Sequence, residues 1–278
     1  CGVIFGLEPL QLGLLLAAVA AAGLFAGLIA GLFGVGGGTV IVPALFYAFA
    51  VLGLGGEQNL HTAVGSSLAV IIAVSVRSLA AHRRHGAVDE AALRDWTPWI
   101  ALGAGLGAAL AGAASDEGLA LVYAGVALLV AAQLGLASDR WRLASDLPQG
   151  WTRRGLGTGI GVASALMGVG GGALGSMLMT LCGRPIHQAV ATASGFGLAI
   201  GVPAAAGFVV FGWGEEGRPP LSFGYVNIPA VIVMGVLTAT AAPFGARLAH
   251  RLDKRRLRRL FALFLAMTAA SVAFKAWR

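Results

Sequence analysis

Apolar residues run along the chain in long blocks separated by short polar clusters. The blocks cover roughly residues 10–33, 39–55, 61–82, 96–114 and 118–138. After a polar stretch they resume at roughly 156–168, 173–182, 187–212, 224–246 and 257–277. Several approach the ~20 residues a helix needs to cross about 30 Å of hydrocarbon. The pattern predicts an all-α polytopic membrane protein. Composition agrees: 58% of the 278 residues are hydrophobic and 11% charged, against about 25% charged in soluble domains. The N-terminal block is too long for a signal-peptide core and lacks a basic flank, so it reads as mature structure.

Two places break the pattern. "GLFGVGGGTVIVPAL" (31–45) and "ASALMGVGGGALGSML" (163–178) each carry Gly-Val-Gly-Gly-Gly inside an apolar run, at Gly34–Gly38 and Gly168–Gly172. Glycine inside a helix costs about 1 kcal/mol relative to alanine. Glycines that let helices pack closely recur at small-xxx-small spacing, which accounts for Gly103, Gly107 and Gly112. Three adjacent glycines cover every helix face and fit a break in the helix instead. A dinucleotide fingerprint is excluded because no strand precedes Gly168, and no Gly-Lys-Ser/Thr follows for a P-loop.

The halves match beyond the glycines. His61-Thr-Ala-Val-Gly-Ser66 answers His187-Gln-Ala-Val-Ala-Thr192, and His85-Gly-Ala-Val-Asp89 answers Phe223-Gly-Tyr-Val-Asn227. The chain therefore divides into a first transmembrane repeat (1–138), a linker (139–155) and a second repeat (156–278). Arg and Lys cluster at 83–94, in the linker and at 247–259. These are assigned to the cytoplasm by the positive-inside rule. The neutral or acidic loops at 114–118 and 212–222 then lie outside. The net charge of +7 reflects those loops, and no basic–aromatic interleaving points to nucleic acid.

Parity follows. From the linker at 155 to the outer loop at 213 the chain crosses an odd number of times. Segment 187–212 crosses once, so 156–182 must return to its own side as a re-entrant or broken hairpin. Its first arm, of 13 apolar residues, would reach only about 20 Å. The same count makes 10–55 a hairpin entered from outside. Each half is one hairpin plus three full crossings, the halves are inverted, and both termini lie outside. Discontinuous helices meeting near the midplane are a transporter architecture.

Glycine lets a solute approach backbone N–H groups closely, and helix N-termini favour anions. The candidate substrate-binding residues are Gly34, Gly36, Gly37, Gly38, Thr39, Gly168, Gly170, Gly171 and Gly172. Helix starts at His61 and His187 add donors, with Ser66, Ser67, Thr192 and Ser194 one turn in. Arg77 is either a counter-charge or a snorkelling side chain. Arg184 either guards the inner mouth or serves orientation. All twelve Asp and Glu fall in loops or at span ends, so no carboxylate embedded in a span offers a cation site. No cofactor or metal is expected. Cys1 and Cys182 have nothing to place them together.

The doubled Gly-Val-Gly-Gly-Gly, the His-x-Ala-Val-x-Ser/Thr segment in each half and the His85–Asp89 turn resemble the sulfite exporter TauE/SafE family over nearly the whole chain. The resemblance implies a bacterial inner-membrane permease for sulfite, sulfoacetate or another small organosulfonate, working as an exporter. Pro43 follows the first glycine run where Met177 follows the second, so symmetry is expected of the loops rather than of the helices after them. The alternative is a channel or carrier for a different small solute. An enzyme is disfavoured: Ser194 and His187 stand seven residues apart, about 10 Å along a helix, with no nucleophile motif between.

Overall fold

The computed structural model describes residues 9–33, 37–54, 56, 58–136, 144, 146–248 and 254–276. Ten helices carry these residues: α1 (Pro9–Phe33), α2 (Gly38–Val51), α3 (Asn59–Arg84), α4 (Glu90–Gly112), α5 (Asp116–Leu136), α6 (Gly150–Met167), α7 (Gly172–Leu181), α8 (Ile186–Phe211), α9 (Ile228–Leu248) and α10 (Lys254–Ala276). A two-rung hairpin, β1 (Ser222–Phe223) with β2 (Val226–Asn227), leads into α9. It is the one departure from an all-α chain among the described residues.

Both glycine runs break a helix. α1 ends before the first and α2 begins at Gly38. α6 ends at Met167 and α7 begins at Gly172. With 14 and 10 residues, α2 and α7 reach only about 21 and 15 Å, roughly two-thirds and half of a hydrocarbon core. α6 is longer than its apolar block suggests. It starts inside the polar linker, where Arg153 pairs with Asp95 at 2.7 Å and the Arg154 guanidinium lies 4.9 Å over the Trp99 ring. Both ties hold its polar first turns against α4.

Among the described residues, four helices are long and apolar enough to span a membrane: Asn59–Arg84, Asp116–Gln133, Ile186–Phe211 and Ile228–Gly245. Six full crossings are expected from sequence. α4 opens on Glu90, Arg94 and Asp95, and the apolar part of α10 is Phe261–Phe274. Charge at their first turns shortens their apolar lengths.

Helix contacts come in matched pairs. α1 packs on α9 and α6 on α4; α2 packs on α3 and α7 on α8; α3 lies against α8 and α5 against α10. Small residues make the tight seams. A Cβ placed on Gly23 would lie 2.9 Å from Leu237 Cβ, and one on Gly157 would lie 2.9 Å from Trp99 Cβ. A Cβ on Gly27 would meet the Thr238 carbonyl at 2.5 Å, and one on Gly161 would collide with the Ile100 carbonyl. Gly23 and Gly27 stand as far ahead of the first glycine run as Gly157 and Gly161 stand ahead of the second. α3 and α8 run in opposite directions: Gly65 faces Phe208, and Gly197 faces Ser75. Gly103 and Gly107 on α4 press against Thr158 and Val162 of α6, and Gly112 against Phe211, as their spacing implies.

The molecule has two ends. α3, α5 and α9 begin at one end, where His61, Asp116 and Tyr225 meet. α4, α6 and α8 begin at the other, where Arg153 pairs with Asp95 and Arg184 with Asp89. The α6–α7 hairpin enters and leaves at this second end. The residues following α2 bond to the loop before β1, with the Gly56 N–H donating to Gly217 O at 2.9 Å, at the first end.

Candidate functional site

Gly34 and Gly36 lie outside the described residues. The other members of the glycine runs are buried. Gly37 precedes α2 at φ +75°, and Gly168 closes α6 at φ +66°. Side chains rarely adopt that backbone conformation, and glycine does so freely. Gly170 and Gly171 lead into α7, which Gly172 begins.

The two breaks touch. A Cβ on Gly38 would run into the Gly168 carbonyl oxygen and lie 3.0 Å from Val169 Cα. A Cβ on Gly168 would lie 3.1 Å from Val64 Cα of α3, and one on Gly171 would lie 2.5 Å from Phe196 Cβ of α8. The Ser67 hydroxyl, from the middle of α3's buried face, donates to the Gly168 carbonyl at 2.8 Å. It fixes the direction of that carbonyl. In the first turns the Val40 and Ile41 N–H groups donate to the Gly37 carbonyl at 3.0 and 3.1 Å and the Gly175 N–H to the Gly171 carbonyl at 2.8 Å, whereas those of Gly38, Thr39, Gly172, Ala173 and Leu174 have no backbone acceptor among the described residues.

Two buried hydroxyls flank this junction. Thr39 Oγ1, at the start of α2, and Ser164 Oγ, in the last turn of α6, have no hydrogen-bond partner among the described residues. An unsatisfied buried hydroxyl costs about 1–3 kcal/mol. Ser164 is missed by sequence reasoning, because an alanine, Ala30, holds the same place ahead of the first glycine run.

Ser66 and Thr192 do matching work in the two halves. The Ser66 hydroxyl accepts the Asn227 N–H at 2.9 Å, and the Thr192 hydroxyl accepts the Asp89 N–H at 2.9 Å. Asn227 and Asp89 then cap the next helices, their side-chain oxygens accepting from Ala230 N and Ala92 N at 3.0 Å each. Ser194 is turned to its own helix and donates to Ala191 O at 2.6 Å.

The histidines differ. His61 is 1% exposed. Its Nδ1 contacts Asp116 Oδ1, and its Nε2 lies 2.9 Å from the Ala111 carbonyl at the end of α4. Its ring faces the Tyr225 ring, with centroids 4.9 Å apart. Asp116 also caps α3, accepting Leu60 N–H at 3.1 Å and His61 N–H at 3.3 Å. Burial first, and then the Glu215 and Asp116 carboxylates, push the Tyr225 phenol above its usual range despite Arg218, so it stays neutral. His187, on the first turn of α8, is exposed.

Arg184 reaches Asp89 at 3.4 Å and Asp146 at 3.2 Å. Two carboxylates balance its charge. Arg77 is exposed on α3. Buried Cys182 is a free thiol, which burial first and then the Asp146 carboxylate hold in the protonated form. The carboxylates that matter here, Asp116 and Asp89, stand at helix starts, as the sequence indicates. Their reach into buried contacts with His61 and Thr192 is what the sequence leaves unread.

The family model for the sulfite exporter TauE/SafE matches residues 19–272. A probable membrane transporter protein of Haemophilus influenzae is 30% identical over 255 residues, covering 91% of this chain and 96% of that protein. A probable membrane transporter protein of Methanocaldococcus jannaschii is 23% identical over 258 residues, covering 88% and 90%. No solved structure matches the chain. With a match this long, on a membrane protein whose doubled glycine runs break its helices, the chain belongs to the sulfite exporter TauE/SafE family.

Proposed function

We propose that this protein is a secondary transporter for a small sulfur-containing oxyanion, sulfite or an organosulfonate such as sulfoacetate, and that it exports it across the bacterial inner membrane. The carrying observation is the contact between the two helix breaks, Gly38 against Gly168, with the unpaired Thr39 hydroxyl beside it.

In this reading the binding groups are the first-turn amides of α2 and α7, together with the hydroxyls of Thr39, Ser164 and Ser67. Each helix N-terminus presents roughly half a positive charge. Two such ends, shielded from water, replace part of the anion's hydration shell. No arginine is needed there: Arg184 is neutralised and Arg77 faces outward. A cage of neutral donors holds an anion weakly enough to let it go, as permeation requires.

The two halves act as inverted repeats, 1–138 and 156–278 about the linker 139–155. The paired seams Gly23–Leu237 and Gly157–Trp99, the matched Ser66–Asn227 and Thr192–Asp89 bonds and the opposed α3 and α8 support this. The Arg-rich end faces the cytoplasm, the His61 end and both termini face outward, and the site between the hairpins is exposed to each side in turn.

The test is flux of labelled sulfite and sulfoacetate into proteoliposomes, against chloride and an uncharged solute of similar size. Saturable flux restricted to the sulfur oxyanions is expected. Equal flux of all four solutes would replace this reading with that of an unselective channel.

A further inference from the structure

We infer that His61 and Asp116 form a proton-binding site that latches the end of the molecule where α3, α5 and α9 begin. Proton binding stands on the geometry alone; its coupling to transport rests on the function proposed above.

The count of hydrogens carries the inference. The Ala111 carbonyl only accepts, so His61 Nε2 must carry a hydrogen. Nδ1 then faces a carboxylate oxygen. A neutral imidazole would turn a lone pair toward that oxygen, which is repulsive. The contact holds when one more proton lies between them, on Nδ1 or on Asp116. With it the pair is neutral overall; without it the pair carries one negative charge in a part-buried place.

Asp116 is fixed by two backbone amides of α3, so the histidine ring is the part that can yield. That ring ties three elements together. Nε2 holds the end of α4, Nδ1 holds the start of α5, and one face supports Tyr225 in the turn before α9. Tyr225 in turn packs on Phe208 near the end of α8. Losing the proton loosens all of these contacts at one end.

The other charged groups near the pair, among the described residues, are few. Glu117 follows Asp116 on α5 and is exposed. Glu215 and Arg218, from the loop before β1, act on Tyr225 with opposite sign. α4 contributes only a backbone carbonyl. The equivalent histidine in the second half, His187, is exposed, so the two ends differ in burial: one histidine is enclosed and the other is open to its surroundings.

The experiment uses the full chain in two settings. In detergent without any substrate, intrinsic tryptophan fluorescence is titrated from about pH 5 to about pH 8, where an imidazole changes charge. Trp213, whose ring lies tilted against Phe223 with centroids 6.5 Å apart, follows Gly212 beside Tyr225 and reports on the latch. A one-proton transition is expected in the native protein and is lost in His61→Gln. Asp116→Asn keeps an oxygen to cap α3 and removes the negative charge. Its transition is expected to differ from that of the native protein, because the carboxylate facing Nδ1 is gone. In proteoliposomes, protons moved per sulfite moved should collapse in His61→Gln.

A His61→Gln protein that titrates like the native one overturns the inference, and so does an unshifted Asp116→Asn. If the titration behaves as expected but no sulfur oxyanion is carried, the proton site stands and the substrate assignment falls. If His61→Gln does not fold, the Asp116→Asn shift decides alone.

Discussion

At Thr39, stability and function make opposite demands. Its hydroxyl is buried without a partner, so Thr39→Val removes a polar group that folding has left unsatisfied. Thermal stability in detergent should stay level or rise. If the hydroxyl binds the anion, the apparent KM for sulfite should rise about tenfold, the equivalent of about 1.4 kcal/mol. Ser66→Ala should behave the other way. It strips the acceptor from the buried Asn227 N–H and should cost about 1–3 kcal/mol of stability. Thr192→Ala should do the same through the Asp89 N–H. At this scale the sequence names residue types well and partners badly. His61 and His187 look equivalent in their motifs, yet one is buried on Asp116 and the other is exposed. The partner of His61 lies 55 residues away, beyond anything a local motif encodes.

Among the elements, the glycines separate into those that break helices and those that let helices meet. Both roles are legible from spacing: adjacent glycines for the breaks, four-residue intervals for the seams. The seams give a paired test. Gly161→Ala places a methyl group against the Ile100 carbonyl, and overpacking of that kind costs about 1–3 kcal/mol. Gly105→Ala, on α4, meets nothing within 4 Å and should stabilise by about 0.5–1 kcal/mol through helix propensity. Thermal unfolding of the two variants should shift in opposite directions. The start of α6 is less legible. Arg153 and Arg154 read as linker because they are polar, and they become helix because Asp95, Trp99 and Trp151 hold them. Such ties are tertiary and leave no periodic trace.

Across the whole molecule, the count of crossings and the placement of basic loops predict an orientation. Cysteines introduced at exposed His85 and exposed Glu215, in a background without native thiols, test it. A membrane-impermeant maleimide added to intact cells should label Glu215→Cys and spare His85→Cys. The reverse pattern would turn the protein over and reverse the assigned ends. The meeting of the two glycine breaks is not written at any single position. It depends on α3 and α8 lying side by side in opposite directions. Only the matched motifs in the two halves hint at it.

The most direct measurement is the location of a bound selenium analogue of the substrate. Selenite can be introduced into crystals of the protein and found by its anomalous scattering. The expected result is a single strong peak beside the contact of the two breaks, about 3 Å from Thr39 Oγ1 and from first-turn amides of α2 and α7. A peak confined to the Arg184 cluster or to surface arginines, with none beside Thr39 at saturating selenite, would contradict the backbone site.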